Sequence, residues 1–404
     1  MLTAGARVLE RLLEGVGTGR PAATPTCDCT HPARPMRSLG VRRKTLRTIL
    51  GAVSWGRSGW RCERCGRSVY PADERLGVGA TGFSPGARRM MARAGARESF
   101  AEAAADLKFY AELQVGAKDV ERTAEATGRR VEDWMGREAT RAMLEPPAEA
   151  PPTLYVSFDG TGVPMRRAEL AGVRGKGEGG RARTREAKLG CVFTQTGLDG
   201  RGRPVREEGS TSYVGAIEPS VEFGHRIHAE AARRGLARAG RVVVITDGAA
   251  YNKSIIAEHF PGARCILDLY HAREHLAGFV RDVARAPLDG AIHLRLRGLL
   301  DGGRIEELVR ELGRMLPRSG PRRRKGQAEI AYLRANAESM RYDRFRADGL
   351  FVGSGVIEAG CRTLAGQRLK RSGMFWSQAG ANAIIALRCC LASGRFEQFW
   401  EDAA

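Results

Sequence analysis

Leu154-Tyr155-Val156-Ser157-Phe158-Asp159-Gly160-Thr161-Gly162 is an apolar, β-branched and aromatic run that ends in an aspartate followed by glycines. Glu145-Pro-Pro-Ala-Glu-Ala-Pro-Pro152 bounds it upstream as a stiff linker. The pattern predicts a buried strand delivering one carboxylate at its exit. Residues Arg241 to Asp247 (Arg-Val-Val-Val-Ile-Thr-Asp) repeat the design, and Val352-Gly-Ser-Gly-Val-Ile-Glu358 supplies a third acid. Three acids at strand or helix ends suggest a divalent-metal site.

Outward from that run, strands are predicted at Leu154 to Asp159, near Lys188 to Thr196, and at Ser210 to Ile217. A helix over Val221 to Ala239 precedes a strand at Arg241 to Asp247. A second helix leads to a strand at Arg264 to Leu269 and then to a helix from about Tyr270. Three strands in a meander followed by two helix-linked strands is the order of an α/β, ribonuclease-H-like mixed sheet flanked by helices. Residues 287 to 350 read as an inserted, basic helical subdomain in which Arg322-Arg323-Arg324-Lys325 marks an exposed turn. The catalytic domain is expected over 153–404.

The chain has 404 residues, 43% of them hydrophobic, which suits two or three packed domains. Its formal charge of +20 implies a polyanionic partner, nucleic acid ahead of an acidic membrane surface. No run of about 18 apolar residues and no signal-peptide core is present, so a cytoplasmic, nucleoid-associated protein with no membrane partner is expected. Nine cysteines, an odd number in an apparently intracellular chain, argue against a disulfide framework.

Residues 1–26 form an N-terminal amphipathic segment with Val8, Leu9, Leu12 and Leu13 on one face. Residues 27–80 read as a zinc-ribbon-like DNA-binding module of short strands. Cys62-Glu-Arg-Cys65-Gly66 has the spacing of a zinc knuckle, and Cys27-Asp-Cys29 would complete the set, with His31 as an alternative ligand. The alternative for Cys27 and Cys29 is that they are loop thiols without metal. Arg42, Arg43 and Lys44 sit among apolar residues there and are candidate DNA contacts. Residues 81–145 turn alanine-rich and helical. Phe100 to Glu112, Ala117 to Thr127 and a further helix from Val131 resemble a helix-turn-helix unit, as would any small bundle. A glycine- and arginine-rich loop between the first two α/β strands carries Arg166, Arg167, Arg174, Lys176 and Arg181.

In the predicted sheet the first and fourth strands pair, placing Asp159 beside Asp247, and a helix bearing Glu358 would complete an oxygen cage. Such a cage suits two magnesium or manganese ions about 4 Å apart. An isolated Asp-Gly is more often a turn former; two of them plus a helical acid change that reading. Asp268-Leu-Tyr-His271 lies next to the presumed site, where His271 would contact the scissile phosphate or shuttle a proton, or serve only structure. His275 shares its helix face, so a zinc site there is a minor alternative. Arg322, Arg323, Arg324, Arg362, Arg368, Lys370 and Arg371 are candidate phosphate contacts, and Trp376 either stacks on a base or packs.

Phe158-Asp-Gly-Thr-Gly162, Thr246-Asp-Gly-Ala249, Asp268-Leu-Tyr-His271, Gly353-Ser-Gly-Val-Ile-Glu358 and Lys370-Arg-Ser-Gly-Met-Phe-Trp376 together resemble the ISKra group of bacterial insertion-sequence transposases. These are DDE enzymes of the broader Mutator-related type. The resemblance runs from about residue 27 to 400. It implies Asp159, Asp247 and Glu358 as the metal-binding triad, residues 272 to 350 as a helical insertion, and the zinc ribbon as an end-binding module. The Cys-x-Cys pair departs from the usual Cys-x-x-Cys. The function expected is metal-dependent cleavage and strand transfer of double-stranded DNA at terminal inverted repeats and target DNA, by a homo-oligomer on the DNA ends. The rivals are a nuclease or resolvase that cuts without joining, and a zinc-ribbon DNA-binding protein with an inactive catalytic domain.

Overall fold

The computed structural model describes residues 2–17, 23–29, 32–79, 81–173, 175 and 182–402; His31, Arg174, Lys176 and Arg181 lie outside them. The chain divides into two compact units, Met1–Gly128 with Glu397–Ala404, and Arg129–Phe396.

The first unit begins with helix α1 (Leu2–Gly17) and two short paired strands, β1 (Thr26–Cys27) and β2 (Arg34–Pro35). A long antiparallel hairpin follows, β3 (Arg37–Thr48) and β4 (Gly51–Arg61), with β5 (Ser68–Val69) on its edge. These are not the short strands of the expected ribbon. Thr48 pairs with Gly51 across a two-residue turn whose return needs a positive φ, 108° at Gly51. Leu46, Trp55 and Val78 make the hairpin's core. Helix α2 (Pro71–Arg75) brings Asp73 under the hairpin, where Arg57 (2.8 Å) and Lys44 (3.1 Å) both reach it. Lys44 is therefore a core clamp and not a free DNA contact; its side chain is only 11% exposed.

Helices α3 (Pro85–Arg97), α4 (Phe100–Ala111) and α5 (Ala117–Leu144) follow. Ser84 caps α3, and Ser99 with Glu102 forms a reciprocal capping box on α4. Sequence reading broke α5 at Gly128, but the helix runs through it for 28 residues. A helical glycine costs about 1 kcal/mol against alanine, too little to stop a helix that packs along its length. Gly95 has a packing reason: a Cβ there would come within 2.9 Å of Val120, so α3 and α5 approach closely.

The second unit is a mixed sheet. Its strands are β6 (Thr153–Pro164), β7 (Thr184–Leu198), β8 (Pro204–Arg206), β9 (Ser212–Ala216), β10 (Val242–Thr246) and β11 (Arg264–Leu267), in the order β11-β10-β6-β7-β8 with β9 also on β7. Strand β7 runs antiparallel to β6, β8 and β9, whereas β10 lies parallel to both β6 and β11. Strand β8 was not anticipated. The proline-rich stretch is not a free tether, since Gly240 donates to the Pro151 carbonyl at 3.0 Å.

Period-two alternation on β6 sends Leu154, Val156 and Phe158 to one face and Tyr155, Ser157 and Asp159 to the other. The first set joins Val192, Val214 and Val244 beneath helices α6 (Ser220–Arg233) and α7 (Ala250–His259), through Phe223, Ile227, Ile255 and Phe260. Tyr155 stacks on Phe193 at 4.8 Å and meets Phe351 edge-on. Both faces are covered, which is why the strand reads as a near-continuous apolar run. Each such side chain contributes about 1.5–3 kcal/mol on burial.

After α8 (Leu269–Phe279) come the helices α9 (Ala291–Asp301), α10 (Ile305–Arg314), α11 (Pro321–Ala335) and α12 (Tyr342–Ala347), the helical segment expected near 287–350. Arg322 to Lys325 lie at the start of α11 and not in a loop turn, with Arg324 and Lys325 exposed. Arg322 donates to the Val283 carbonyl at 2.6 Å and Arg323 to that of Pro317 at 2.9 Å, so neither is held free for phosphate. Helix α13 (Gly355–Gly360) runs into a π-helical turn, Cys361–Gly366, then α14 (Gln367–Leu369), α15 (Gln378–Ala392) and α16 (Phe396–Asp402). Buried Arg388 on α15 caps carbonyls of that turn at Leu364 (2.8 Å) and Thr363 (2.5 Å). From Glu397 onward α16 belongs to the first unit, where Glu397 pairs with Arg89, so the second unit stops short of residue 404.

Candidate active site

Asp159 is not at the end of its strand. Strand β6 continues five residues further, and Asp159 faces Leu189 of β7 in regular register. Gly160 and Gly162 are strand residues opposite Lys188 and Glu186. Their missing side chains leave room for neighbours: a Cβ on Gly160 would run into the Glu186 carboxylate. On the other side Ser157 pairs with Ile245 of β10, and Asp159 and Asp247 each lie two residues beyond that pair. Parallel neighbours are spaced about 4.8 Å apart, so the fold itself brings these two acids to one edge of the sheet.

Each acid is held by its surroundings. Asp159 Oδ1 accepts from the Gly160 amide at 2.7 Å, and the Cys361 thiol lies 3.7 Å from Oδ2. Asp247 Oδ1 accepts from the Ala249 amide at 3.0 Å and from buried Asn252 Nδ2 at 2.6 Å. Gly248 takes φ 77° in the turn between β10 and α7, and a Cβ there would meet Leu267 at 2.6 Å. Glu358 Oε1 accepts from Ser354 Oγ at 3.0 Å. Burial first, and then the charges of Asp247 and Glu358, push the Asp159 carboxyl above its ordinary value. Tyr251 is pushed up too, by burial and then by Glu186, Asp247 and Asp159. Glu186, paired with Lys188 at 3.0 Å, is thus a further acid near Asp159 and Asp247.

Asp268 is fully engaged. Its Oδ1 caps α8 through the His271 amide at 2.6 Å, and its Oδ2 accepts from the Ser354 amide. With the Leu269 amide donating to Val352 at 3.0 Å, these bonds fasten the start of Glu358's helix to the end of β11. Asp268 is a positioning residue and, at 1% exposure, does not reach a substrate as a catalytic group would. His271 Nε2 lies 3.2 Å from His275 Nε2, and His275 Nδ1 lies 2.7 Å from Glu329. His275 stacks on Tyr332 at 4.1 Å, and the Tyr332 hydroxyl donates to the Asp247 carbonyl at 2.8 Å. Helix α11 therefore supports the acid-bearing edge through Glu329 and Tyr332. Sequence reasoning missed these two, along with Asn252, Glu186 and Cys361, because none sits in a pattern that marks it.

The candidate phosphate contacts separate by environment. Arg166, Arg167, Arg324, Arg362, Lys370 and Arg371 lie exposed, as do Arg42 and Arg43 in the first unit. Lys370 Nζ reaches Thr161 Oγ1 at 2.5 Å, two residues along β6 from Asp159. Arg368 is wholly buried, its guanidinium 5.0 Å over the Trp376 ring, and so cannot track phosphates. Trp376 packs, with Nε1 donating to the Leu369 carbonyl at 3.0 Å, while neighbouring Phe375 is 63% exposed.

The acids fit a hard divalent cation. All donors are oxygens, and the hydrogen bonds described for Asp247 and Glu358 fall on one oxygen of each. Among the described residues, the groups of three or more metal-ligating side chains whose ligand atoms lie within 4.8 Å of one another are two, and this triad is neither. One of them is Cys27, Cys29, Cys62 and Cys65. There Cys27 lies 3.6 Å from Cys65 and Cys29 3.6 Å from Cys62, close to the sulfur separation of about 3.8 Å that tetrahedral bonds of about 2.3 Å to zinc require. The amides of Cys65 and Arg64 draw the Cys62 thiol down to about 6, toward the thiolate that ligates. This cluster could hold a zinc ion.

No family model matches the chain. A Streptococcus gallolyticus protein named as a UPF0236 protein in the vanSb 3′ region is 24% identical over 373 residues, covering 90% of this chain and 76% of that one. A solved Drosophila P element transposase strand transfer complex aligns over 82% of this chain and 84% of its own at 10% identity, with a TM-score of 0.27, too loose a superposition to speak for fold or function. No helix among the described residues is long and apolar enough to cross a membrane.

Proposed function

We propose that this protein is a DNA transposase with a ribonuclease-H-like catalytic unit, in which Asp159, Asp247 and Glu358 hold two magnesium or manganese ions. The observation that carries this reading is the parallel pairing of β6 with β10, which sets Asp159 beside Asp247, with Glu358 close enough to raise the Asp159 carboxyl. Bound divalent ions would activate the attacking oxygen and stabilise the leaving one. Asn252 and Ser354 orient the carboxylates, and Asp268 fixes the helix that presents Glu358. Arg166, Arg167, Arg362 and Lys370 neutralise backbone phosphates near the site. Water attacks the phosphorus at an element end, the P–O3′ bond breaks, and a free 3′-hydroxyl remains. That hydroxyl attacks a target phosphodiester, forming a new P–O bond and releasing a target 3′-hydroxyl.

In the first unit, zinc on the four cysteines steadies a module whose Arg42 and Arg43 contact the terminal inverted repeats. Copies of the chain hold the two ends together. The test is a duplex carrying the repeats that flank the gene, incubated with protein and magnesium. Joined strand-transfer product is expected; cleavage without joining would leave a nuclease, and binding alone would leave a regulator.

A further inference from the structure

Helices α6 and α7 cover the sheet face opposite Asp159 and carry a cluster that the DNA chemistry does not use. His225, Glu258 and His259 bring one potential ligand atom each within 4.8 Å of the others. His259 Nε2 stands 3.8 Å from Glu258 Oε1, and the His225 and His259 rings are 4.8 Å apart. His228, almost one turn beyond His225 on α6, has its ring 5.5 Å from that of His259.

Two observations set this cluster apart from chance neighbours on a wet surface. His259 Nε2 is buried and has no hydrogen-bond partner among the described residues, an arrangement native proteins rarely tolerate. Gly224 lies inside α6, where glycine weakens a helix, and a Cβ on it would come within 2.6 Å of that same Nε2. The missing side chain makes room for the His259 ring against α6.

We propose that His225, Glu258 and His259 form a second metal site, for a divalent transition ion of the zinc class, with His228 at its edge. Nitrogen and oxygen atoms bound to one such ion at about 2.0–2.2 Å lie about 3–4 Å apart, which matches the His259–Glu258 separation. Imidazoles with one carboxylate suit zinc, cobalt or nickel, whereas magnesium requires oxygen donors. The ion would tie the C-terminal end of α7 to α6. Because the first turns of α7 carry Asn252, the ion would also steady the helix that orients Asp247.

The test is zinc content per chain, measured by elemental analysis on the full-length protein after loading with zinc and desalting. His225 and Glu258 are exposed, so the double variant H225A/E258Q should fold, which circular dichroism checks. It should hold one zinc fewer than wild type. C62S/C65S should lose a separate equivalent, and the two losses should add. Equal zinc in wild type and H225A/E258Q would overturn the proposal.

Discussion

At the scale of single residues, the proposed site depends on carboxylates that their neighbours already orient. Asp247 keeps its place because a buried amide, Asn252 Nδ2, donates to it at 2.6 Å. Replacing Asn252 with Ala should therefore lower divalent-ion affinity or cleavage by about 10–100-fold without loss of folding, as measured by magnesium titration of the cleavage rate. Asp73 makes a different kind of prediction. It lies 3% exposed between Lys44 and Arg57, so Asp73→Ala strands two cations and should cost about 3–5 kcal/mol in denaturant unfolding of the first unit. The proposed triad was marked in the sequence by local pattern: Asp159 and Asp247 each end an apolar run and precede glycine, and Glu358 follows Gly353-Ser-Gly-Val-Ile. Asn252, Tyr332 and Glu186 were not, since their roles come from contacts across the fold that no local spacing announces. Lys44 and Arg368 were misread for the converse reason: charge shows in a sequence, and burial beside a partner does not, while Trp376 takes the packing alternative.

Among elements, the strands around the site followed from their apolar runs and the helices from their periodicity. The ends of elements followed less well. Strand β6 runs on through Asp159 because its glycines accommodate Glu186 and Thr184 from β7, a packing reason where the sequence suggested a turn. Helix α5 passes Gly128 for lack of anything that breaks it. In the helical insertion, Arg341 reaches both Glu306 (2.5 Å) and Glu338 (2.6 Å), and these hydrogen bonds hold Glu306 down to about 2. A carboxylate lowered in the folded state stabilises above its unfolded value, about 4.3, and loses that contribution as pH falls through the folded one. The gap in melting temperature between wild type and R341A should therefore narrow as pH drops from about 5 to about 3; solvent screening keeps the effect modest. A gap that widens toward acid would contradict the pairing.

For the whole molecule, a formal charge of +20 would set the physics of the proposed association with DNA. Each phosphate neutralised releases counterions, so affinity should fall steeply and log-linearly with salt. The double variant R42A/R43A should flatten that slope by about two contacts and weaken binding to all duplexes alike. An unchanged slope would remove the hairpin from the interface. In the other unit, the central proposal is that three carboxylates gathered at one sheet edge cut and join DNA. Its most direct test compares wild type with D159N on labelled duplexes bearing the flanking inverted repeats, with magnesium present. Wild type should yield free 3′-hydroxyl ends and joined product, while D159N should bind the ends equally well and yield neither; equal cleavage by both proteins would contradict the account.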